Sequence, residues 1–227
     1  MPKSIHFGLD LTLGQEVIKL DPNIKVGMRF ESRSRTVLPF TLDVAVKAFW
    51  KFFGYSHGNM RSLGDTEYLL QTNLLSRSFA IHTNFQDYFS QLVGKYTCRK
   101  IATEDEVTLV WVECTDVEEF GGSKFKGMQY LKRGYVKLRK IPREGPGIEI
   151  TSTILETYSE TTPAFREDID DQAVRVQIRD LVNSIKRSYS RVNRVFCQTI
   201  SNLLIEEDWK ATNGGDCLIM NATISKH

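Results

Sequence analysis

The stretch DIDDQAVRVQIRDLVNSIKRSYSRVNRVFCQTISNLL, residues 168–204, decides the fold of this chain. Its apolar side chains recur every three or four positions, so they form one stripe on a helix. The members of the stripe are Val174, Ile178, Leu181, Ile185, Tyr189, Val192, Phe196, Ile200 and Leu203. Acidic residues crowd its start and arginines follow in its second half, which suits the helix dipole. The pattern predicts one helix, on the order of 50 Å long, that packs its stripe on another element.

Most of the chain before this helix alternates apolar and polar side chains, as strands with one buried face do. The segments that alternate most clearly are residues 24–30, 78–83 and 134–141, and further strands are predicted over residues 94–101, 106–114 and 148–158. Residues 107–112 are apolar on both faces, which predicts a central strand that is covered on both sides. Two segments stay open: residues 66–75 fit helical turns or a strand, and residues 84–92 fit a short helix, a bend or a strand.

One helix is predicted early in the chain, over residues 42–53, and it is rich in aromatic side chains. Thr41 is its predicted N-cap, and Gly54 ends it. A run of strands followed by one long helix indicates an α+β fold with an antiparallel sheet. We therefore predict a helix-grip arrangement, in which a curved antiparallel sheet wraps around the long C-terminal helix.

The composition is that of an ordinary globular protein, since 227 residues with 41% hydrophobic and 26% charged side chains suffice for a buried core. The formal net charge of +2 gives no support for nucleic acid or an anionic membrane as the main partner. No apolar run approaches the roughly 20 residues that span a bilayer, and residues 1–20 lack the core of a signal peptide. The four cysteines are widely spaced, as free thiols in a reducing compartment would be. An intracellular protein, cytoplasmic or nuclear, without stable membrane insertion is expected.

The sequence carries no metal-binding or phosphate-binding signature. Its four histidines lie far apart and none is paired at ligand spacing, so no metal and no cofactor are predicted. Gly122 and Gly127 have the spacing of a phosphate-binding loop, but Met128 and Gln129 stand where Lys and Ser or Thr are needed. This segment is therefore predicted to be a hairpin loop.

Two motifs carry a resemblance to a known family: DEVTLVW at residues 105–111 and FKGMQYLKRGYV at residues 125–136. They resemble the START-like domains of oomycete mating-specific proteins, in which a strand ending in a hydrophobic-Trp pair precedes a Gly-rich loop and an Arg-Gly-aromatic-Val strand. LPFT at residues 38–41 is similar to the opening of that domain. Such domains often follow a basic leucine zipper or accompany a zinc module that binds lipid headgroups. Neither pattern occurs in this sequence, so no transcriptional or membrane-targeting role is expected.

The resemblance covers roughly residues 24–206 and implies a helix-grip (START-like) fold. The domain is expected over residues 24–209, with an N-terminal extension at 1–23 and a C-terminal tail at 210–227. Folds of this class usually enclose an apolar cavity between sheet and helix, so the resemblance implies a binder of a lipid or another hydrophobic small molecule. The content of 3 Trp, 8 Tyr and 13 Phe fits such a site. The lining residues predicted from strand parity and helix face are Met28, Phe49, Phe79, Ile81, Trp111, Val136, Ile150, Ile185, Tyr189 and Phe196.

Two other functions stay open at this level. The first is an interaction module with a filled core, in which the long helix or the tail around residues 217–220 offers a surface to a protein partner. The second is an enzyme of the cyclase or hydratase kind, which needs at least two ionisable side chains facing the cavity. Glu156 and Tyr158 on the last predicted strand are the candidates for that role.

Overall fold

Eight strands and two helices form the part of the chain that the structure, a computed structural model, describes. The described residues are 17–20, 28–54, 67–85, 88–141, 152–166 and 169–214, and their side chains are described except at 17–20, 28, 67–70, 81–85, 88–89 and 188–192. In chain order the elements are β1 (Val17–Leu20), β2 (Met28–Leu38), α1 (Leu42–Gly54), β3 (Glu67–Leu70), β4 (Leu74–Phe85), β5 (Tyr88–Ala102), β6 (Glu106–Phe120), β7 (Ser123–Lys140), β8 (Thr153–Phe165) and α2 (Asp171–Asn213).

One antiparallel sheet contains all eight of these strands, in the order β1-β2-β8-β7-β6-β5-β4-β3. Strands β3 to β8 are sequential neighbours, and β2 pairs with β8 on the far side. Short polar turns close the hairpins, as where the Thr103 N–H donates to the Glu106 carbonyl across 2.8 Å. The curved sheet followed by one long helix is the predicted α+β helix-grip fold.

The described residues of the two open segments are strands, except for the turn at residues 71–73 between β3 and β4. Residues 67–70 pair with β4, and β4 pairs with β5 from Leu74 to Phe85. Phe85, Tyr88 and Phe89 therefore lie in the paired strands β4 and β5 rather than in a helix. Spacing of three or four residues between aromatics does not exclude strands when two hairpin arms meet within the window.

Several strands extend beyond their predicted limits. Strand β2 continues to Leu38 and β8 to Phe165, while residues 24–27 and 148–151 of the two predicted strands lie outside the described residues. Strand β1 pairs with β2 at the sheet edge, although the sequence placed its four residues in an N-terminal extension.

The turn between β6 and β7 is a two-residue hairpin turn, shorter than the predicted loop over residues 122–127, because residues 123–127 belong to β7. Gly121 and Gly122 have φ angles of 59° and 79°, and a turn with positive φ at both positions matches the twist of the flanking strands. The turn packs on α2, where the Ser184 hydroxyl donates to the Ser123 hydroxyl across 3.2 Å. A Cβ added at Gly121 would lie 3.0 Å from the Ser184 Cβ, so the small residue at 184 accommodates the turn.

Helix α1 follows the predicted limits closely. The Thr41 hydroxyl accepts a hydrogen bond from the Val44 N–H at 3.2 Å, which confirms the N-cap. Its buried face consists of Val44, Ala45, Ala48 and Phe49. Helix α1 lies against α2, to which it is joined by the Lys51 ammonium, 2.8 Å from a Glu206 carboxylate oxygen.

Helix α2 is longer than predicted and begins three residues later. The Asp170 carboxylate accepts from the Ala173 N–H at the start, and Gly214 ends the helix with a φ of 68°. Its 43 residues span roughly 65 Å at the standard rise. The nine residues beyond Leu204 extend it past the apolar stripe, and Trp209 there is 55% exposed.

The apolar side chains beneath α2 form two clusters on the face of the sheet that the helices cover, called here the inner face. The two-helix cluster, beneath α1 and the C-terminal half of α2, comprises Leu38, Ala45, Ala48, Phe49, Leu75, Phe79, Tyr96, Cys98, Val107, Leu109, Trp111, Val136, Leu138, Leu155, Ile200, Leu203 and Leu204. The one-helix cluster, beneath the N-terminal half of α2, comprises Phe30, Val117, Phe125, Met128, Tyr130 and Leu181.

The prediction that residues 107–112 are covered on both sides is wrong. Leu109 is fully buried on the inner face, but Val110 is 40% exposed and Val112 is 53% exposed on the opposite face, called here the outer face. Both described helices pack on the inner face, and an antiparallel sheet tolerates water on its other side. Apolar residues at successive positions are therefore not sufficient to predict cover on two sides.

Candidate functional site

A row of polar and charged side chains crosses the inner face of the sheet. Arg77 on β4, Tyr96 on β5, Glu113 on β6 and Lys132 on β7 are successive cross-strand partners. Residues directly opposite one another point to the same side of a sheet. Because Tyr96 belongs to the two-helix cluster, the whole set, called here the polar row, faces the helices.

On β6 and β7 the polar row lies between the two apolar clusters, with Trp111 and Val136 on one side of it and Val117 and Tyr130 on the other. Ile185 packs against the one-helix cluster and Phe196 against the two-helix cluster. The 11-residue step from Ile185 to Phe196 covers roughly 16 Å of helix. This stretch of α2 therefore connects the two apolar clusters.

Two cations of the row lie over aromatic rings. The Arg77 guanidinium carbon is 5.6 Å from the centroid of the Tyr96 ring, and the Lys132 ammonium is 5.3 Å from that of Trp111. The Tyr96 and Trp111 rings are stacked with their centroids 6.4 Å apart. These contacts hold the charges close to apolar surface, where cation–π attraction offsets part of the lost hydration.

Gly134 sets the position of the Trp111 ring. The two residues are cross-strand partners, and a Cβ at Gly134 would lie 2.6 Å from the Trp111 Cζ2 atom. It would also collide with the backbone carbonyl of Tyr158. The glycine in the Arg-Gly-aromatic-Val motif thus leaves the space in which the indole lies across the strand.

The Tyr96 hydroxyl is a buried donor whose hydrogen-bonding capacity is unused within the described residues. Tyr96 is 8% exposed, and its hydroxyl has no hydrogen-bond partner among them. The Cys98 thiol is close to it without meeting the geometry of a hydrogen bond. Leaving such a hydroxyl unpaired costs about 1–3 kcal/mol, so this position favours a bound acceptor.

Burial keeps the titratable groups beside Trp111 protonated. It raises the pKa of Tyr96 far above its ordinary value, with further contributions from the Cys98 thiol and the Glu113 carboxylate. Burial likewise raises the pKa of the Cys98 thiol to about 11. The Glu113 carboxylate accepts a hydrogen bond from the Thr115 hydroxyl at 2.8 Å. At neutral pH Tyr96 is therefore a hydrogen-bond donor.

The structure brings together five of the ten lining residues predicted from the sequence. They are Phe49, Phe79, Trp111 and Val136, which belong to the two-helix cluster, and Phe196, which packs against it. Ile185 is separate from these and packs against the one-helix cluster. Met28, Ile81 and Tyr189 lie on β2, β4 and α2, but their side chains, like all of Ile150, are outside the described part of the chain.

Sequence reasoning missed the polar row because it selected apolar residues alone. Glu113 follows Trp111 by two positions on a strand, and Tyr96 precedes Cys98 by two, so parity alone places each pair on one face. Arg77 lies next to a segment whose element type was open, and only the pairing of β4 with β5 sets it beside Tyr96.

The prediction that Glu156 or Tyr158 faces the cavity is wrong. Both alternate with buried inner-face residues of β8 and therefore lie on the outer face. The Glu156 carboxylate is 3.3 Å from the Arg35 guanidinium, and the Tyr158 hydroxyl donates to Glu160 across 2.6 Å. Glu156 and Tyr158 therefore take part in polar contacts on the outer face of the sheet.

Other site types find no support in the described part of the chain. No three His, Cys, Asp or Glu side chains come together there as metal ligands would. Cys98, Cys114 and Cys197 are free thiols. Neither of the two described helices combines the length and hydropathy needed to cross a membrane.

Comparison with known proteins gives structural neighbours only. No protein-family profile matches the chain, and no curated protein is similar to it in sequence. A conserved protein from Geobacillus kaustophilus is 11% identical, with 80% of this chain and 96% of that chain covered and a TM-score of 0.41. The Zhui aromatase/cyclase from Streptomyces sp. R1128 is 10% identical, with coverage of 83% and 99% and a TM-score of 0.42.

A third neighbour is the di-domain ARO/CYC StfQ from the steffimycin biosynthetic pathway. It is 10% identical to this chain, with 82% of this chain and 52% of that chain covered and a TM-score of 0.44. At these values the neighbours do not identify the family to which this chain belongs.

Proposed function

We propose that this chain binds a hydrophobic small molecule or a lipid between the inner face of the sheet and α2. The observation that carries the proposal is the polar row, which places charged side chains between apolar residues of β6 and β7 and includes a buried hydroxyl without a described partner. A core that serves stability alone gains nothing from such a group, because burying it unpaired costs free energy. Apolar walls with a few polar anchors are what small-molecule sites provide.

A binding role rather than a catalytic one is supported by the direction of the pKa shifts. A general base works best with a pKa near the operating pH. The pKa values of Tyr96 and Cys98 move away from neutrality instead, because burial disfavours their charged forms. These groups suit hydrogen bonding to a ligand.

We further propose that the chain is an intracellular member of the START-like family of oomycete mating-specific proteins, with its domain over residues 24–209. The support is the motif at residues 125–136, in which Gly134 leaves room for Trp111. Helix α2 continues to Asn213 and β1 begins at Val17, so elements of the fold extend beyond both of these limits.

Native mass spectrometry of protein purified from its own source tests the proposed function. A co-purified hydrophobic molecule is expected, together with a rise in melting temperature when delipidated protein meets lipids from a panel. Nile red, a neutral hydrophobic dye, should bind the delipidated protein and be displaced by the same lipids. Absence of a co-purified molecule, of any thermal shift and of dye binding would contradict the proposal.

The alternative is a protein-interaction module. The observation that favours it is a set of exposed apolar side chains on one side of α2, where Val195 is 53%, Ile205 51% and Trp209 55% exposed. Under this alternative, Trp209→Ser abolishes association with the partner and leaves Nile red binding unchanged. Under the proposed function, dye binding depends on the inner face and Trp209→Ser leaves lipid binding intact.

A further inference from the structure

The C-terminal half of α2 carries a second stripe, on the side of the helix that faces away from the two-helix cluster. Ile200, Leu203 and Leu204 are buried in that cluster. Five residues on the other side, at alternating steps of three and four positions, are all exposed. These residues, called here the exposed stripe, are Val195, Gln198, Asn202, Ile205 and Trp209. An average step of about 3.5 residues is typical of helices that pair along their length.

The exposed stripe complements itself when a second copy of α2 lies antiparallel to it. In the register that sets Val195 opposite Ile205 of the second copy, Gln198 lies opposite Asn202 of that copy. Apolar side chains then contact apolar ones, and amide groups that both donate and accept meet each other. Because the same contacts recur across the twofold axis, one helix surface supplies both halves of the interface.

The charged residues beside the exposed stripe favour the same antiparallel arrangement. Arg194 and Asp208 flank it on one side, and neither side chain has an ion pair within the described residues. In an antiparallel pair the flanking residues of the same side meet, so Arg194 lies beside Asp208 of the second copy, twice by symmetry. A parallel pair would instead set Arg194 beside Thr199 and Asp208 beside Asn213, and neither contact is an ion pair.

We propose that two copies of this chain form an antiparallel dimer through the exposed stripe. Arg194 and Asp208 set the orientation of the two helices. The contact from Val195 to Trp209 extends over roughly 21 Å of helix, so a weak, concentration-dependent dimer is expected. This inference goes beyond the proposed function and does not depend on it, because the exposed stripe faces away from the two-helix cluster.

Sedimentation equilibrium of the full chain measures the dissociation constant of the dimer. Between roughly 10 and 500 μM protein, the mean mass should rise from that of one chain towards that of two. Ile205→Ser should raise the dissociation constant about tenfold, because each dimer loses two apolar contacts. Val176→Ser is the matched control and should leave the dissociation constant unchanged, since Val176 is 43% exposed on α2 but lies outside the exposed stripe.

Charge reversal tests the orientation of the helices. Arg194→Asp or Asp208→Arg alone should weaken the dimer about fivefold, since each replaces two attractions with two repulsions. The double variant should regain the wild-type affinity, and an equimolar mixture of the two single variants should form a heterodimer that is more stable than either homodimer. Arg175→Asp, at an exposed arginine near the other end of α2, is the control and should have no effect.

A chain that stays monomeric over this concentration range would overturn the inference and leave the exposed stripe to a different protein partner. A dimer that Ile205→Ser does not weaken would also overturn it, because the copies would then meet elsewhere. A dimer that Ile205→Ser weakens, but whose affinity the double charge variant does not regain, would contradict the antiparallel orientation. Nile red binding decides the proposed function separately from all of these results.

Discussion

The two apolar clusters beneath α2 differ in how they are closed. The two-helix cluster contains 17 buried residues and is covered by both helices, whereas the one-helix cluster contains six and, among the described elements, is covered by α2 alone. The N-terminal half of α2 is held partly by polar contacts with the β6–β7 hairpin instead. The Lys126 N–H donates to the Gln177 side chain at 2.6 Å, and the Arg187 guanidinium donates to the Gly121 carbonyl at 3.3 Å.

This difference indicates that the two halves of α2 have different roles. The C-terminal half anchors the fold, because most of the buried apolar area lies there. The N-terminal half contributes less to stability, and elements that admit ligands are drawn from the less stable parts of a protein. We therefore expect mutations in the two halves to differ in their effect on stability.

Leu204→Ala should have the largest effect, because Leu204 is fully buried in the two-helix cluster. Enclosed by two helices and the sheet, the cavity has little room to collapse, so the free energy of unfolding should fall by about 4 kcal/mol. Chemical denaturation measures this change. Ile205→Ala, at a neighbouring position that is 51% exposed, is the control and should cost less than about 0.5 kcal/mol.

Leu181→Ala should lower the free energy of unfolding by roughly half as much as Leu204→Ala, about 2 kcal/mol. Leu181 is as fully buried as Leu204, but its cluster is covered by one of the two described helices rather than by both, so the surrounding side chains can relax into the space. The same denaturation experiment on both variants tests the comparison. Equal losses in the free energy of unfolding for the two leucine variants would mean that the clusters are equally rigid and that the two halves of α2 do not differ in role.

The ion-pair network between α1 and α2 should have a smaller, pH-dependent effect. The Lys51 ammonium is 2.7 Å from a Glu207 oxygen, and both it and the Lys210 ammonium are 2.8 Å from a Glu206 oxygen. Burial opposes the charge of Lys51, but its hydrogen bonds to Glu206 and Glu207 outweigh burial and raise its pKa. Hydrogen bonds from Lys210 and Lys51 lower the pKa of Glu206.

Lys51→Met should therefore lower stability at pH 7 by about 1 kcal/mol or less, since Lys51 and Glu206 are partly exposed and Lys210 still pairs with the buried Glu207. The contribution of Glu206 is present above its ordinary pKa and is lost as pH falls through its lowered folded-state pKa. The difference between wild type and variant should accordingly shrink from pH 6 towards pH 3 in denaturation curves. Lys47→Met, which breaks an exposed pair with Asp43 within α1, should cost about 0.3–0.5 kcal/mol. A difference that grows on acidification would contradict this assignment.

Local signals in the sequence were sufficient for part of the fold. Thr41 and Gly54 mark the ends of α1, because each acts within a few residues. A hairpin was predicted at Gly122, but its loop was predicted to be longer than the observed turn. The apolar stripe of α2 was likewise recognisable from the sequence. The end of α2 was missed because the stripe fades before Gly214, where the αL conformation ends the helix.

The remaining features depend on contacts between distant parts of the chain. The exposure of Val110 and Val112 follows from where the helices pack, which apolar content does not reveal. The polar row exists because β4, β5, β6 and β7 pair in one register, and a shift of one residue would turn Tyr96 to the outer face. Single-strand patterns contain no such information.

Whether a hydrophobic ligand lies beside the polar row is tested most directly by fluorescence quenching with dibromostearic acid. Two single-tryptophan proteins are compared: one keeps Trp111 on the inner face, and the other keeps Trp209, which is 55% exposed near the end of α2. Circular dichroism confirms that both are folded. Bromine quenches only at short range, so saturable quenching of Trp111 with Trp209 unaffected is the predicted result. Quenching of Trp209 alone, or of neither, would contradict a ligand site between the sheet and α2.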